Sequence, residues 1–286
     1  MRKIRNFALI GAAGALALAG CSTGTSDQST DQSADQSTSQ SDAAASGETV
    51  TLTVGASPSP HAVILQYVQD NLAADAGLDL KIVEYTDYVQ PNEALAAGDL
   101  DANYFQTIPY LEEESEARGY DFVAGEGIHL EPLAIYSDKI ESLDELPEGA
   151  KIGIINDPTN QGRALALLAE NGLVELPASG DVNVNTVTKK KDFTFVETEG
   201  AQLGRSLADV DIAVINGNFA QEAGLAPADS LAIESTENNP ALNVLVWAKG
   251  SPKEDSIKKL DELLHSPEVA EFIQQQWPDG SVIPAA

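Results

Sequence analysis

The sequence predicts an α/β protein of two lobes with a crevice between them. Two observations carry this. From Thr49 onward, short apolar strands alternate with helices of amphipathic spacing, the pattern of layered α/β folds with largely parallel sheets. The stretch is also long for one such sheet, so two lobes share it. Crossings are placed near Pro132–Ser137 and Asn238–Asn243. That gives a first lobe of residues 48–134 and 242–286 and a second of 135–241, with both ends of the folded region in one lobe.

Each element has its own signal. Val50 to Val54 alternates apolar and polar, as a half-buried strand does. Gly55-Ala56-Ser57-Pro58-Ser59-Pro60 is a turn. His61 to Ala76 carries a helical stripe of Ile64, Leu65, Val68 and Leu72, closed by Gly77. Leu80 to Tyr85 is a strand, Asn92 to Ala97 a short helix, Ala102 to Gln106 a strand and Pro109 to Arg118 a helix. Phe122 to Tyr136 reads as two apolar runs split by Gly125, Gly127 and Pro132. Ser142 to Leu146 is a helical turn. A second series then runs from the strand Lys151–Ile155 into the helix Asp157–Glu170, closed by Asn171-Gly172. Thr194–Glu197 is a strand, Ala201–Leu207 a helix and Ile212–Ile215 a buried strand. A helical turn at Phe219–Ala223 and strands at Leu231–Glu234 and Val244–Ala248 follow. One or two helices occupy Asp255–Gln276.

The amino terminus stands apart. Arg2, Lys3 and Arg5 precede an apolar run from Phe7 to Ala19 that ends in Leu18-Ala19-Gly20-Cys21. A basic start followed by a short apolar run is a secretory signal. The run is shorter than the roughly 20 residues a spanning helix needs. Small residues directly before a cysteine resemble the lipobox of bacterial lipoproteins, which implies cleavage after residue 20 and lipidation of Cys21. Acyl chains on that residue would anchor the chain to a membrane. Residues 21–47 are rich in Ser, Gln and Asp and repeat Asp27-Gln28-Ser29-Thr30 in near-copies at Asp31 and Asp35. Such a segment buries nothing and reads as a disordered tether.

Composition narrows the function. The formal charge is -29, and the basic leader residues make the remainder more negative still. Such a surface argues against nucleic acid and anionic lipid surfaces as partners. Cys21 is the only cysteine, so no internal disulfide forms and no other thiol can serve as nucleophile. Three histidines, at 61, 129 and 265, are scattered, and no His/Cys/acid run has zinc spacing. No nucleophile elbow and no phosphate loop is present. An enzyme, a cofactor and a metal are therefore not expected.

Binding signals are richer. Asp157-Pro158-Thr159-Asn160-Gln161-Gly162-Arg163 follows a strand and opens a helix, with Asp157 as N-cap and Pro158 at the first position. Asn160 and Arg163 then share one face. Free N–H groups of the opening turn and the Arg163 fork suit a carboxylate. The plain alternative makes Arg163 a surface ion-pair residue and Asn160 a cap. Ile212-Ala213-Val214-Ile215 ends abruptly in Asn216-Gly217-Asn218, and ligands sit at such strand ends. The alternative is a turn. Tyr85, Tyr88, Tyr104 and Phe105 concentrate rings after two strands, lining a pocket for an apolar or thioether group or filling ordinary core.

Taken together these segments resemble the methionine-binding lipoproteins of ABC importers. The match runs from about Thr51 to the C-terminus. It includes Gly55 to His61, Thr86-Asp87-Tyr88-Val89-Gln90-Pro91-Asn92, Gly98 to Gln106, Asn156 to Arg163 and Ala213 to Asn218. The resemblance implies a type II periplasmic-binding-protein fold that closes on L-methionine. It also implies partnership with a membrane permease and its ATPase. Arg163 and Asn160 would hold the carboxylate end, Asn216 would help with the polar groups, and Tyr88 and Phe105 would enclose the side chain. His129 matches a histidine of many relatives. Where the family commonly has His after Phe-Gln, this chain has Thr107, which leaves related ligands open: D-methionine, a methionine-containing dipeptide or another apolar amino acid. A surface adhesin without a small ligand is the rival of another class.

Overall fold

The structure, a computed structural model, describes residues 49–285. The leader, Cys21 and the tether expected from the sequence lie outside the described residues.

Along the chain run β1 (Val50–Ala56), α1 (Val63–Asn71), β2 (Leu78–Glu84), α2 (Gln90–Ala97), β3 (Ala102–Thr107), α3 (Ile108–Arg118) and β4 (Phe122–Leu130). Next are β5 (Ala134–Tyr136), β6 (Ala150–Ile155), α4 (Pro158–Glu170) and a ribbon of β7 (Val174–Glu175) and β8 (Thr188–Lys189). Then follow β9 (Phe193–Thr198), α5 (Gly200–Ser206), β10 (Ile212–Ile215), α6 (Gly217–Glu222) and β11 (Ala232–Ile233). The last elements are β12 (Leu242–Ala248), α7 (Glu254–Leu264), α8 (Pro267–Gln276) and β13 (Ile283–Pro284).

Two main sheets result. The first has strand order β13-β4-β12-β3-β1-β2, the second β11-β5-β10-β6-β9. The chain leaves the first sheet through residues 131–133 and returns to it through residues 234–241. Both sheets are mixed, where the alternation of elements predicts largely parallel ones. β1 runs parallel to β2 and β3, and β6 parallel to β9 and β10. β12 is antiparallel to β3 and β4, and β5 to β10 and β11. The reason is topological. β5 and β12 enter their sheets directly from the other sheet, without the helical crossover that a parallel neighbour requires.

Burial follows the predicted stripes. Ile64, Leu65 and Val68 of α1 pack with Leu52 and Val54 of β1 and with Leu245, Ile257 and Leu260. In β10 every residue is buried. Ile212 and Val214 face one core with Ile152 and Leu165, while Ala213 and Ile215 face another with Leu203 and Phe219. A strand covered on both faces reads as a continuous apolar run. Each such buried aliphatic side chain contributes about 1.5–3 kcal/mol.

Two local expectations are corrected. α1 ends at Asn71, not at Ala76, while His61 and Ala62 lie in a wider helical turn that leads directly into it. Ser59, which precedes Pro60, is extended at φ -137 and ψ 141, as steric conflict with the proline ring demands. After Asn71 the chain tightens into turns that bury Ala73 and deliver Leu78 to β2. The other correction concerns β4, which runs unbroken through Gly125 and Gly127. These glycines admit neighbours rather than split the strand. A Cβ on Gly125 would lie 2.2 Å from Asp261 Oδ1, and one on Gly127 would lie 2.5 Å from Leu242 Cδ1.

Candidate functional site

A cavity opens between elements of the two sheets. All five residues singled out for ligand contact line it: Tyr88, Phe105, Asn160, Arg163 and Asn216. Thr107 lines it too. The sequence reading missed Gln106, Tyr110, Glu131 and Asn243, and it offered Asn218 only as a turn residue; all five also line the cavity. Tyr85 and Tyr104 do not. Tyr85 packs beside Gly55 and Leu100 under β1, and Tyr104 is fully buried.

The aromatic wall comes from the first sheet. Tyr88 precedes α2, Phe105 lies in β3 and Tyr110 is in the first turn of α3. Their ring centroids lie 5.8–6.1 Å apart in tilted and edge-on arrangements, which suit ring quadrupoles. Tyr88 also touches Phe219 at 4.7 Å. The Tyr88 hydroxyl donates to Asn218 Oδ1 at 2.6 Å, and its carbonyl accepts from the Tyr110 hydroxyl at 2.9 Å. Behind this wall, Asn92, Asn103 and Gln106 form a buried amide cluster in which each side chain bonds to the other two at 2.8–2.9 Å.

The polar wall comes from the second sheet, and Asp157 sets its orientation. Asp157 Oδ1 accepts the Asn160 backbone N–H at 2.9 Å and the Asn160 side-chain amide at 3.1 Å. Asn160 must therefore present Oδ1 onward, and that oxygen accepts from Asn216 Nδ2 at 2.8 Å. Asn216 Oδ1 is thereby left buried with no partner among the described residues. A parallel chain runs through Tyr88, whose hydroxyl occupies Asn218 Oδ1 and leaves Asn218 Nδ2 buried and unpartnered. One acceptor and one donor are thus unspent beside the cavity, and an unmet buried polar atom costs about 1–3 kcal/mol. Burial pushes the Asp157 carboxyl up to about 6, while the two Asn160 donors pull it down.

Two expectations about the carboxylate site are corrected. The opening turn of α4 does not offer the Asn160 N–H, because the Asp157 cap already takes it. The fork of Arg163 is also engaged. Nε donates to Glu234 Oε1 at 2.7 Å, and Nη2 donates to Glu234 Oε2 at 2.6 Å and to the Glu131 carbonyl at 2.9 Å. Among the described residues Nη1 donates to none, so its two N–H groups are the part of the guanidinium left for another anion.

At the crossing between the sheets, two scattered histidines meet one carboxylate. Glu131 Oε1 lies 2.8 Å from His129 Nε2 and 3.3 Å from His61 Nε2. His61 Nε2 also meets Asn243 Oδ1 at 3.0 Å, and His129 Nδ1 bonds to the Tyr104 hydroxyl. Burial holds His61 down to about 4 and His129 down to about 3. It raises Glu131, against the pull of His61, Arg163 and the Asn218 N–H. His61, His129 and Glu131 offer three potential metal-ligand atoms within 4.8 Å of one another. Hydrogen bonding explains this group by itself, since each imidazole Nε2 has an acceptor at hydrogen-bond distance.

Among the described residues no helix is long and apolar enough to cross a membrane. The arrangement as a whole can hold a small molecule bearing an anionic group and an apolar tail. Residues 52–286 match the family model of the NlpA lipoproteins. The chain is 37% identical to the D-methionine-binding lipoprotein MetQ of Escherichia coli K12, over 98% of each chain. It is 37% identical to the methionine-binding lipoprotein MetQ of Bacillus subtilis, over 86% of this chain and 91% of that one. A lipoprotein structure from Actinomyces odontolyticus covers 84% of this chain and all of its own, at 64% identity and a TM-score of 0.82. A nutrient-binding protein from Burkholderia cenocepacia, bound to methionine, superposes at a TM-score of 0.78 with 39% identity, over 82% of this chain and all of its own. The architecture is the periplasmic-binding-protein fold, and the chain belongs to the NlpA lipoprotein family.

Proposed function

We propose that the chain captures L-methionine in the cavity between its two sheets and hands it to the permease of an ABC importer. One observation carries the reading: a single cavity joins the Arg163 guanidinium and the Asn216 and Asn218 amides to a wall of Tyr88, Phe105 and Tyr110. The first group suits the polar end of an amino acid. The second suits a thioether, which lies favourably against ring edges. Methionine in the Burkholderia cenocepacia relative and in the MetQ names supports the choice.

Residues 48–133 with 242–286 act as one lobe and residues 134–241 as the other, Ala134 being already in β5 of the second sheet, and ligand favours the closed arrangement. Cys21 carries the lipid that keeps the protein at the outer side of the cell membrane, where it meets its permease; the ATPase works from the opposite side. The protein is a carrier and not an enzyme, in keeping with its family and with the methionine-binding relatives.

Calorimetric titration of protein lacking the leader, unfolded and refolded to remove retained ligand, tests this. The expected result is a one-to-one isotherm with L-methionine. Folded protein that gives no heat with it would overturn the ligand assignment. D-methionine is titrated alongside, because the Escherichia coli relative is named for that enantiomer.

A further inference from the structure

The carboxylate at the crossing has no part in the scheme above. Glu131 is a buried acid, 5% exposed, that lines the ligand cavity. Its Oε1 bonds to His129 Nε2 at 2.8 Å and lies 3.3 Å from His61 Nε2, the Asn218 backbone N–H also bonds to the carboxylate, and among the described residues no side-chain donor reaches Oε2. Oε2 would lie 3.3 Å from a Cβ on Gly217, at the start of α6 next to Asn216. The unpartnered Asn216 Oδ1 lines the same cavity.

The protons of the cluster can be traced. The Tyr104 hydroxyl has no acceptor other than His129 Nδ1 among the described residues, so it donates there. Nδ1 is then the bare nitrogen and Nε2 carries the hydrogen, which points at Glu131 Oε1. His61 Nε2 sits between Asn243 Oδ1 and Glu131 Oε1, both acceptors, so it too carries hydrogen. The His129 N–H and the Asn218 backbone N–H therefore hold the carboxylate, with the neutral His61 ring beside it. A buried carboxylate needs a nearby positive charge. The Arg163 guanidinium is bonded to the Glu131 carbonyl, and its charge is already matched by Glu234.

We infer that Glu131 is the acceptor for the cationic amine of the bound amino acid, seconded by Asn216 Oδ1, and that Tyr104 is a positioning residue acting through His129. The inference rests on the reading of the cavity as an amino-acid site and adds what makes it selective. A ligand with a carboxylate and a thioether but no amine leaves Glu131 without a countercharge.

Two probes separate the possibilities: L-methionine and the same molecule without its amino group. Each is titrated into wild type, Glu131→Gln and Tyr104→Phe, with unfolding curves to verify the fold. The Glu131→Gln variant should bind L-methionine at least about thirtyfold more weakly, as loss of one member of a buried charge pair requires. Its affinity for the amine-free molecule should not fall. For Tyr104→Phe the loss should be roughly two- to tenfold, the worth of one hydrogen bond, and again confined to the amine-bearing probe. Equal losses for both probes would make the cluster merely structural and overturn the inference. So would wild-type affinity for L-methionine in Glu131→Gln. If folded wild type ignores L-methionine, the ligand reading itself has failed, and this inference falls with it.

Discussion

The cavity is flanked by two clusters of buried amides, and they differ in one respect. Asn92, Asn103 and Gln106, behind the aromatic wall, satisfy one another and a backbone carbonyl. None of their polar atoms is left over among the described residues. Asn160, Asn216 and Asn218, on the opposite wall, are strung from Asp157 and Tyr88 and end in an unspent acceptor and an unspent donor. A closed network rigidifies its surroundings, whereas an open one is costly until something completes it. Burial and residue type are the same in both. Only the direction in which hydrogen bonds run tells a supporting wall from a binding wall.

The strongest way to break the open wall is Arg163→Ala. It removes the cavity's guanidinium and strands Glu234, and L-methionine affinity should fall by about 2–5 kcal/mol in a calorimetric titration. An unchanged affinity would remove Arg163 from the site. The contrast itself is sharpened by a crossed pair. Asn92→Ala opens the closed network and should lower unfolding stability by about 1–3 kcal/mol, with a smaller effect on binding. Asn216→Ala removes the unpartnered Oδ1 together with the single Nδ2 bond to Asn160. It should weaken binding by roughly 1–1.5 kcal/mol while moving denaturant stability less than Asn92→Ala does. If both variants shift the same observable, the two clusters do not differ in function.

The smallest expected effect concerns acid. His61 takes a proton near 6.5 when unfolded but only near about 4 in the fold. The unfolded chain thus binds more protons in that window, and stability falls as pH drops through it. Glu131, whose carboxyl is raised, acts with the opposite sign, but it is present in both wild type and a His61→Gln variant. Between pH 7 and pH 5, wild type should lose roughly 1–2 kcal/mol more than that variant in denaturant titrations. Equal losses would mean that His61 is free to protonate in the fold.

Much of this was legible in the sequence, for local reasons. The run Ile212–Ile215 has to be covered on both faces, and its abrupt end at Asn216 marks a strand terminus facing a cleft. Asp157-Pro158 fixes where α4 starts and so places Asn160 and Arg163 on one face. The partners of these residues were not legible. Glu234 lies 71 residues from Arg163, and Asn243 lies 182 from His61. Nothing local singles out Glu234 among 45 acidic residues, whereas Glu131 could have been found. One signal was available: His129-Leu130-Glu131 places a histidine and a glutamate two apart at the end of a strand, on one face, just before Pro132. The glycines of β4 misled for a related reason. A glycine that admits a neighbour's side chain looks, in sequence, like a glycine that ends a strand.

A crystal structure of the refolded chain with L-methionine would test the central claim most directly. The expected density lies in the cavity, with the carboxylate at Arg163 Nη1 and Asn218 Nδ2 and the thioether among Tyr88, Phe105 and Tyr110. Methionine bound elsewhere, or with its side chain turned toward Arg163 and its carboxylate against the rings, would contradict the division of the cavity into an aromatic wall and an open polar one.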